Sequence, residues 1–228
     1  MTVSITWHGH ATLSLDVNGQ KVLVDPFFSG NPAAKTSADN VEADYILLTH
    51  AHGDHVADAV PIAKRTGALV VSNFEIANWM SAQGHENVHG QHIGGGFHHP
   101  IGYIKLTVAF HGSSFPDGSY GGMPCGFLLY VDDMRIYIAG DTAVYSDMEL
   151  IGRHNLDVAV LPIGDNYTMG PDDALLATKF LNAKTVIPYH YSTWPLIEQD
   201  CGVWADRVRA ETDSKVVVLD IDVSHTLA

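Results

Sequence analysis

The segment ADYILLTH (residues 43–50) constrains the fold more than any other part of the chain. It is a near-continuous apolar run, and a strand of that kind is buried on both faces, with further structure on each side. It ends in His50, and the pattern recurs. YIKLTVAFH (103–111) ends in His111, GFLLYVDDMRIYIAGD (126–141) in Asp141 and KTVIPYH (184–190) in His190. Each apolar strand delivers a metal-capable residue at its C-terminal end, where α/β folds place their chemistry. Scattered surface histidines would not choose that position repeatedly. The prediction is a layered α/β protein, two mixed sheets packed face to face with helices outside. At 228 residues it is expected to form a single domain, 1–228.

The remaining elements follow from local signals. ATLSLDVNGQKVLVDP (11–26) alternates around Asn18-Gly19, a hairpin with a type I′ turn. VADAVPIAKRTG (56–67) predicts a helix stopped by Gly67, with Pro61 tolerable only near its start. ALVVS is a strand, and NFEIANWMSAQG a helix capped by Asn73 and stopped by Gly84. The 126–141 segment reads as a hairpin turning at Asp132-Asp133, and LDVAVLPIG (156–164) as a strand. GPDDALLATKFLNA (170–183) predicts a helix whose Pro171 and early acids suit an N-terminus. VWADRVRAETD and SKVVVLDI close the chain as helix and strand. His85, His89, His92, His98 and His99 lie in a Gly-rich stretch and read as loop surface.

Composition narrows the function classes. No apolar run reaches the roughly 18 residues of a membrane span, and the N-terminus MTVSITWHGH has no signal-peptide pattern. Two cysteines, Cys125 and Cys201, without a CxxC pair point to a reducing cytoplasm. A net charge of −14, from 26 acidic and 12 basic residues, repels phosphate backbones and acidic membranes. The expected partner is therefore a small molecule, not nucleic acid or membrane, with a homo-oligomer left open.

The densest chemistry is HAHGDH, residues 50–55. His50 and His52, two apart in an extended segment, share a face. Asp54 and His55 turn into the next helix and point elsewhere, so two metals fit this cluster better than one. Each then needs a further histidine, for which His111 and His190 are the natural suppliers, and Asp141 can bridge with its two oxygens. The bland alternative makes Asp54 a helix cap and the histidines ordinary strand-end residues. For HxHxDH joined by three more strand-end ligands, that alternative is disfavoured. His and carboxylate ligands accept zinc foremost, and also manganese, iron, nickel or cobalt.

THAHGDH, followed by His111, AGDT (139–142) and IPYHYST (187–193), resembles the metallo-β-lactamase superfamily. WHGHATL, VDPFF, PIGDNYTMGP and HYSTWPLI are similar to a narrower branch of small metal-dependent hydrolases, related to ascorbate-6-phosphate lactonases. The resemblance implies a four-layer αββα sandwich with two divalent ions at one edge. It places one ion on His50, His52 and His111, the other on Asp54, His55 and His190, with Asp141 bridging. It implies hydrolysis of an ester, lactone or phosphoester of a small metabolite by a metal-activated hydroxide that Asp54 orients. An iron-dependent redox enzyme, similar to persulfide dioxygenases, is the alternative. Flavodiiron, ribonuclease and β-lactam readings fit less well: the HxHxDH histidines are intact, no inserted domain is visible, and no secretion signal is seen.

Around this cluster, His8 and His10 are expected to share a strand face. His8 divides evenly between surface and site, while His10 is assigned to the site, as in the branch motif. Asp25 either fixes a ligand imidazole or forms a turn with Pro26. Asp165, Asn166 and Thr168 are candidate substrate contacts, and Tyr191 and Trp194 either flank the pocket or pack. The Gly-rich loop 112–124 is a candidate lid. Cys125 is expected to begin a strand.

Overall fold

The computed structural model describes residues 3–227. The first half of the chain supplies β1 (Val3–Trp7), β2 (Leu13–Val17), β3 (Gln20–Val24), β4 (Tyr45–Leu47), α1 (Gly53–Val56), α2 (Ala59–Thr66), β5 (Leu69–Asn73), α3 (Phe74–Ala82) and β6 (Val88–Gln91). The second half supplies β7 (Gly96–His99), β8 (Gly102–Val108), β9 (Cys125–Val131), β10 (Met134–Ile138), α4 (Met148–Gly152), β11 (Val158–Pro162), α5 (Pro171–Leu181), β12 (Thr185–Tyr189), α6 (Cys201–Glu211), β13 (Lys215–Val216) and β14 (Ser224–Leu227).

The strands form two seven-stranded sheets, ordered β14-β1-β2-β3-β4-β5-β6 and β13-β12-β11-β10-β9-β8-β7. Each has an antiparallel half and a parallel half, β3 to β6 in one and β10 to β13 in the other. The reason β4 is apolar throughout is now visible. Tyr45 and Leu47 enter the layer between the sheets with Ile5, Leu13, Phe127 and Ile138, while Ile46 and Leu48 meet Ile62, Ile76 and Met80 on the helices outside. The second sheet packs Leu128, Tyr137 and Leu161 outward against Leu175, Leu181 and Trp204. The result is the four-layer αββα sandwich.

Several expectations held in detail. Val17 pairs with Gln20 across Asn18 and Gly19, both at positive φ (53° and 92°), as a type I′ turn requires. Asn73 caps α3 by accepting from Ile76 N, and Gly67 ends α2 at φ 74°.

Others need correction. The helix expected over 56–67 breaks at 57–58, because the Asp58 carboxylate turns back to accept from Phe28 N and Ser29 N (2.7 and 2.8 Å). The restart at Ala59 puts Pro61 in a first turn, where it is tolerated. The stretch taken as histidine-rich loop holds β6 and β7, the outer strands of the two sheets. His85 is buried with Nε2 on Ala68 O, and His99 is buried edge-on to Tyr45. SKVVVLDI contributes only the two residues of β13, and the unexpected β14 pairs with β1. Finally, β1 stops at Trp7, and Gly9 and His10 turn the chain at φ 90° and 53°. His8 and His10 therefore share no strand face.

Candidate metal centre

Strands β1, β4, β8, β10 and β12 end at one edge of the sandwich, and the loops leaving them meet there. His50, His52, Asp54 and His55 occupy the β4–α1 connection, His10 the turn after β1, and His111 the loop after β8. Asp141 follows β10 through Gly140 (φ 68°), where a Cβ would stand 2.7 Å from Cys125 O, so the sharp turn needs glycine. His190 comes directly after β12, itself left-handed at φ 53°, and its N–H donates to His10 O (2.9 Å).

Asp141 Oδ2 lies amid four imidazoles. It is 3.1 Å from His190 Nε2, 3.3 Å from His55 Nε2, 3.6 Å from His111 Nε2 and 3.9 Å from His50 Nε2. The ligand atoms of His50, His52 and His111 all lie within 4.8 Å of one another, as do those of His10, Asp54, His55 and His190. Residues far apart in sequence are thus gathered in two adjacent groups with Asp141 between them, and Asp25, His50 and His55 meet within the same distance behind them. His55 Nε2, His190 Nε2 and Asp141 Oδ1 are buried and have no hydrogen-bond partner. An unpartnered buried polar atom costs about 1–3 kcal/mol, and three converge here. Imidazole nitrogen and carboxylate oxygen around one small space are the donor set of a divalent transition metal. The residues fit such ions.

Behind these side chains, Asp25 sets proton positions. Its buried carboxylate accepts from Thr49 N (2.8 Å), Thr49 Oγ1 (2.6 Å) and His55 Nδ1 (2.9 Å). With its hydroxyl proton committed to Asp25, Thr49 Oγ1 accepts from His50 Nδ1 (3.0 Å). His50 carries its proton on Nδ1 and aims an Nε2 lone pair at the centre. Asp25 likewise fixes the Nδ1–H of His55; burial pushes His55 down, but the Asp141 and Asp25 carboxylates outweigh it and hold the imidazole well above the ordinary histidine range, so its Nε2 would give up a proton to a bound ion. Burial holds His50 well below the ordinary histidine range, so it is neutral and ready to ligate.

His10 plays another part. Its Nε2–H faces Asp54 Oδ2 and its Nδ1 faces Thr193 Oγ1, both at 3.0 Å. Burial first, then neighbouring His190, pushes it down to about 4. Burial pushes Asp54 up, but the His10 hydrogen bond and the charge of His55 outweigh it, and the carboxylate stays ionised. His10 thus fixes the orientation of Asp54. His8, by contrast, points away, bonding Asp222 Oδ1 (2.5 Å) and Ser14 Oγ (2.8 Å).

The groups open onto a cleft of about 450 Å³ lined by His52, Asp54, His111, Asp141, Tyr167, His190 and Trp194. Of the expected substrate contacts, Asp165, Asn166 and Thr168 are not in this lining. Asp165 and Asn166 are both left-handed (φ 62° and 50°), which swings the next residue, Tyr167, to the cleft instead. Trp194 lines the wall, whereas Tyr191 stacks on Trp7. The 112–124 loop is fastened: Ala51 N donates to Ser113 Oγ, Asn73 Nδ2 donates to Gly121 O and Met123 O, and Phe115 stacks on Trp79. Its tip, 116–120, is exposed, as are Gly112, Ser114 and Met123. Sequence reasoning missed Thr49, Thr193 and Tyr167; of these only Tyr167, an aromatic in a polar turn after a strand, carried a usable signal.

Residues 4–190 match the family described as the beta-lactamase superfamily domain. A metal-dependent hydrolase of Bacillus cereus (strain B4264) is 51% identical over 231 residues, covering 99% of this chain and 100% of the other. The solved structure of Igni18, a novel metallo hydrolase from the archaeon Ignicoccus hospitalis, is similar with a TM-score of 0.92 and 36% identity, covering 100% and 99% of the two chains. An isothiocyanate hydrolase from Delia radicum gut bacteria shares the fold at 23% identity and a TM-score of 0.75, covering 97% and 98%.

Proposed function

Because the chain belongs to the beta-lactamase superfamily and is a metal-dependent hydrolase, we propose that it cleaves an ester, lactone or phosphoester of a small metabolite at a site built for two divalent ions. His50, His52 and His111 would hold one ion and Asp54, His55 and His190 the other, with Asp141 shared. Zinc is the first choice, and manganese, iron and nickel also suit these ligands. When bound, such ions acidify a shared water and stabilise negative charge on the attacked group. Asp54, clamped by His10, would orient a water held there and accept its proton. Asp25 and Thr49 keep the ligand lone pairs aimed inward. The cleft admits a small molecule, and no helix among the described residues is long and apolar enough to cross a membrane. We place the activity in the cytoplasm.

The observation that carries this reading is the convergence of four imidazoles on one oxygen of Asp141, with buried His55, His190 and Asp141 atoms left unpartnered. A one-iron redox site would leave the second group unused, although that group is fully assembled. The test is elemental analysis of protein purified without chelator, with a panel of esters, lactones and phosphoesters run on wild type, Asp141→Asn and His98→Asn. Two ions per chain are expected, with turnover retained by His98→Asn and lost in Asp141→Asn. A maximum of one ion after metal supplementation, or equal activity of the two variants, refutes the assignment.

A further inference from the structure

Resting on that hydrolytic reading, we propose that the substrate is a neutral carboxylic ester or lactone carrying an aromatic-sized apolar group, which packs on Tyr167 and Trp194. Phosphoesters are then poor substrates. Three observations support this.

The first is charge. The carboxylates in the cleft lining are Asp54 and Asp141, and none of the chain's 12 lysines and arginines lines it. Protein sites for phosphate recruit Arg or Lys to meet its oxygens. Here the wall beyond the metal-ligating residues offers no such cation, so the oxygens of a phosphate would be met by the bound ions alone.

The second is the wall itself. Apart from His and Asp, the lining consists of Tyr167 and Trp194. Trp194 is held edge-on to His10 (4.6 Å between ring centroids) and lies 6.3 Å from Phe27, so its ring is fixed in place. Tyr167 is 51% exposed. Aromatic faces of this size gain most when an apolar partner covers them.

The third is the surround. Phe110, beside His111 in the chain, is 59% exposed, and Leu196, two residues after Trp194, is 64% exposed. Exposed apolar side chains thus stand close in the chain to two of the lining residues. The reaction consumes one water: its oxygen bonds the acyl carbon, the acyl C–O bond breaks, and the released alcohol takes up a proton.

The test uses the full chain loaded with zinc. Calorimetric titration compares 2-naphthohydroxamate with acetohydroxamate on wild type, Tyr167→Ala and Trp194→Ala. Turnover compares 2-naphthyl acetate with 2-naphthyl phosphate, which share a ring and differ in charge. The naphthyl hydroxamate should bind roughly tenfold more tightly than the acetyl one, as expected from covering an aromatic wall. Trp194→Ala should remove most of that gap while leaving acetohydroxamate within about twofold. Equal binding of the two hydroxamates, an unchanged gap in both variants, or faster turnover of the phosphate overturns the proposal. Ring-dependent binding without turnover of any ester or phosphate would uphold the aromatic subsite and sink the hydrolytic reading instead.

Discussion

Replacing Asp25 with asparagine should weaken metal binding from a position that touches no metal. The substitution is nearly isosteric, so packing is preserved and only hydrogen-bond polarity changes. Oδ1 can still accept from Thr49 N, but Oδ2, which accepts from both Thr49 Oγ1 and His55 Nδ1, becomes an NH₂ donor. Three donors then meet with no acceptor among them. The conflict eases if His55 gives up its Nδ1 proton and keeps one on Nε2, the atom facing Asp141, if Thr49 turns its hydroxyl proton toward His50 Nδ1, or if the amide flips and sets its NH₂ against Thr49 N. The first two changes take a lone pair from the centre, and the third leaves a buried clash of donors. One orphaned buried donor costs about 1–3 kcal/mol, and losing a hydrogen bond to a charged group about as much again. The metal-free protein should lose roughly 3 kcal/mol, or ~6–12 °C in Tm at this chain length. Metal affinity should fall about 10–100-fold, the usual effect of removing a partner that orients a ligand. Scanning calorimetry on stripped protein and competition against a chromophoric chelator measure the two quantities separately. A Tm within about 2 °C of wild type together with affinity within about threefold would refute the proton-positioning argument.

Stripping metal with chelator should lower Tm without unfolding the domain, since the apolar layers are independent of the site; at ion concentrations near 100 times Kd the difference is about 2.7 kcal/mol. A coil-like far-UV circular dichroism spectrum of the stripped protein would contradict this. His8→Ala, which removes the bonds to Asp222 and Ser14, should destabilise by about 2 kcal/mol while metal content stays unchanged; elemental analysis showing lost metal would return His8 to the site. Gly140→Ala should destabilise by about 2–4 kcal/mol, since it combines a positive φ with a Cβ pressed on Cys125 O; an unchanged urea midpoint would show that this turn can shift.

The site residues were legible because they sit where apolar strands end, a pattern that needs no tertiary information. Buried strands such as β4 announce themselves because both faces select apolar side chains. The edge strands β6, β7 and β14 do not, since each has a neighbour on one side only and is rich in Gly, His and Ser. Period-two alternation put His8 and His10 on one face, and the left-handed turn at Gly9 and His10 undid it. The same kind of turn at Asp165 and Asn166 presented Tyr167 in place of the polar residues around it. Thr49 and Thr193 were invisible because a hydroxyl's role depends on which distant residue folding sets beside it.

His10, His50, His52, Asp54 and His55 hang from the first sheet, while His111, Asp141 and His190 hang from the second. Neither sheet owns a complete set. Any ion seated there is a cross-tie between two stacked plates, and the load it bears is the tendency of those plates to part. Opening the sandwich at that edge would tear the coordination apart, so ion release and sheet separation become one event with one free energy. Backbone amides of β4 and β12, each next to a ligand, should exchange with solvent more slowly as ion concentration rises, and a mutation in the layer between the plates should loosen the ions without touching a ligand.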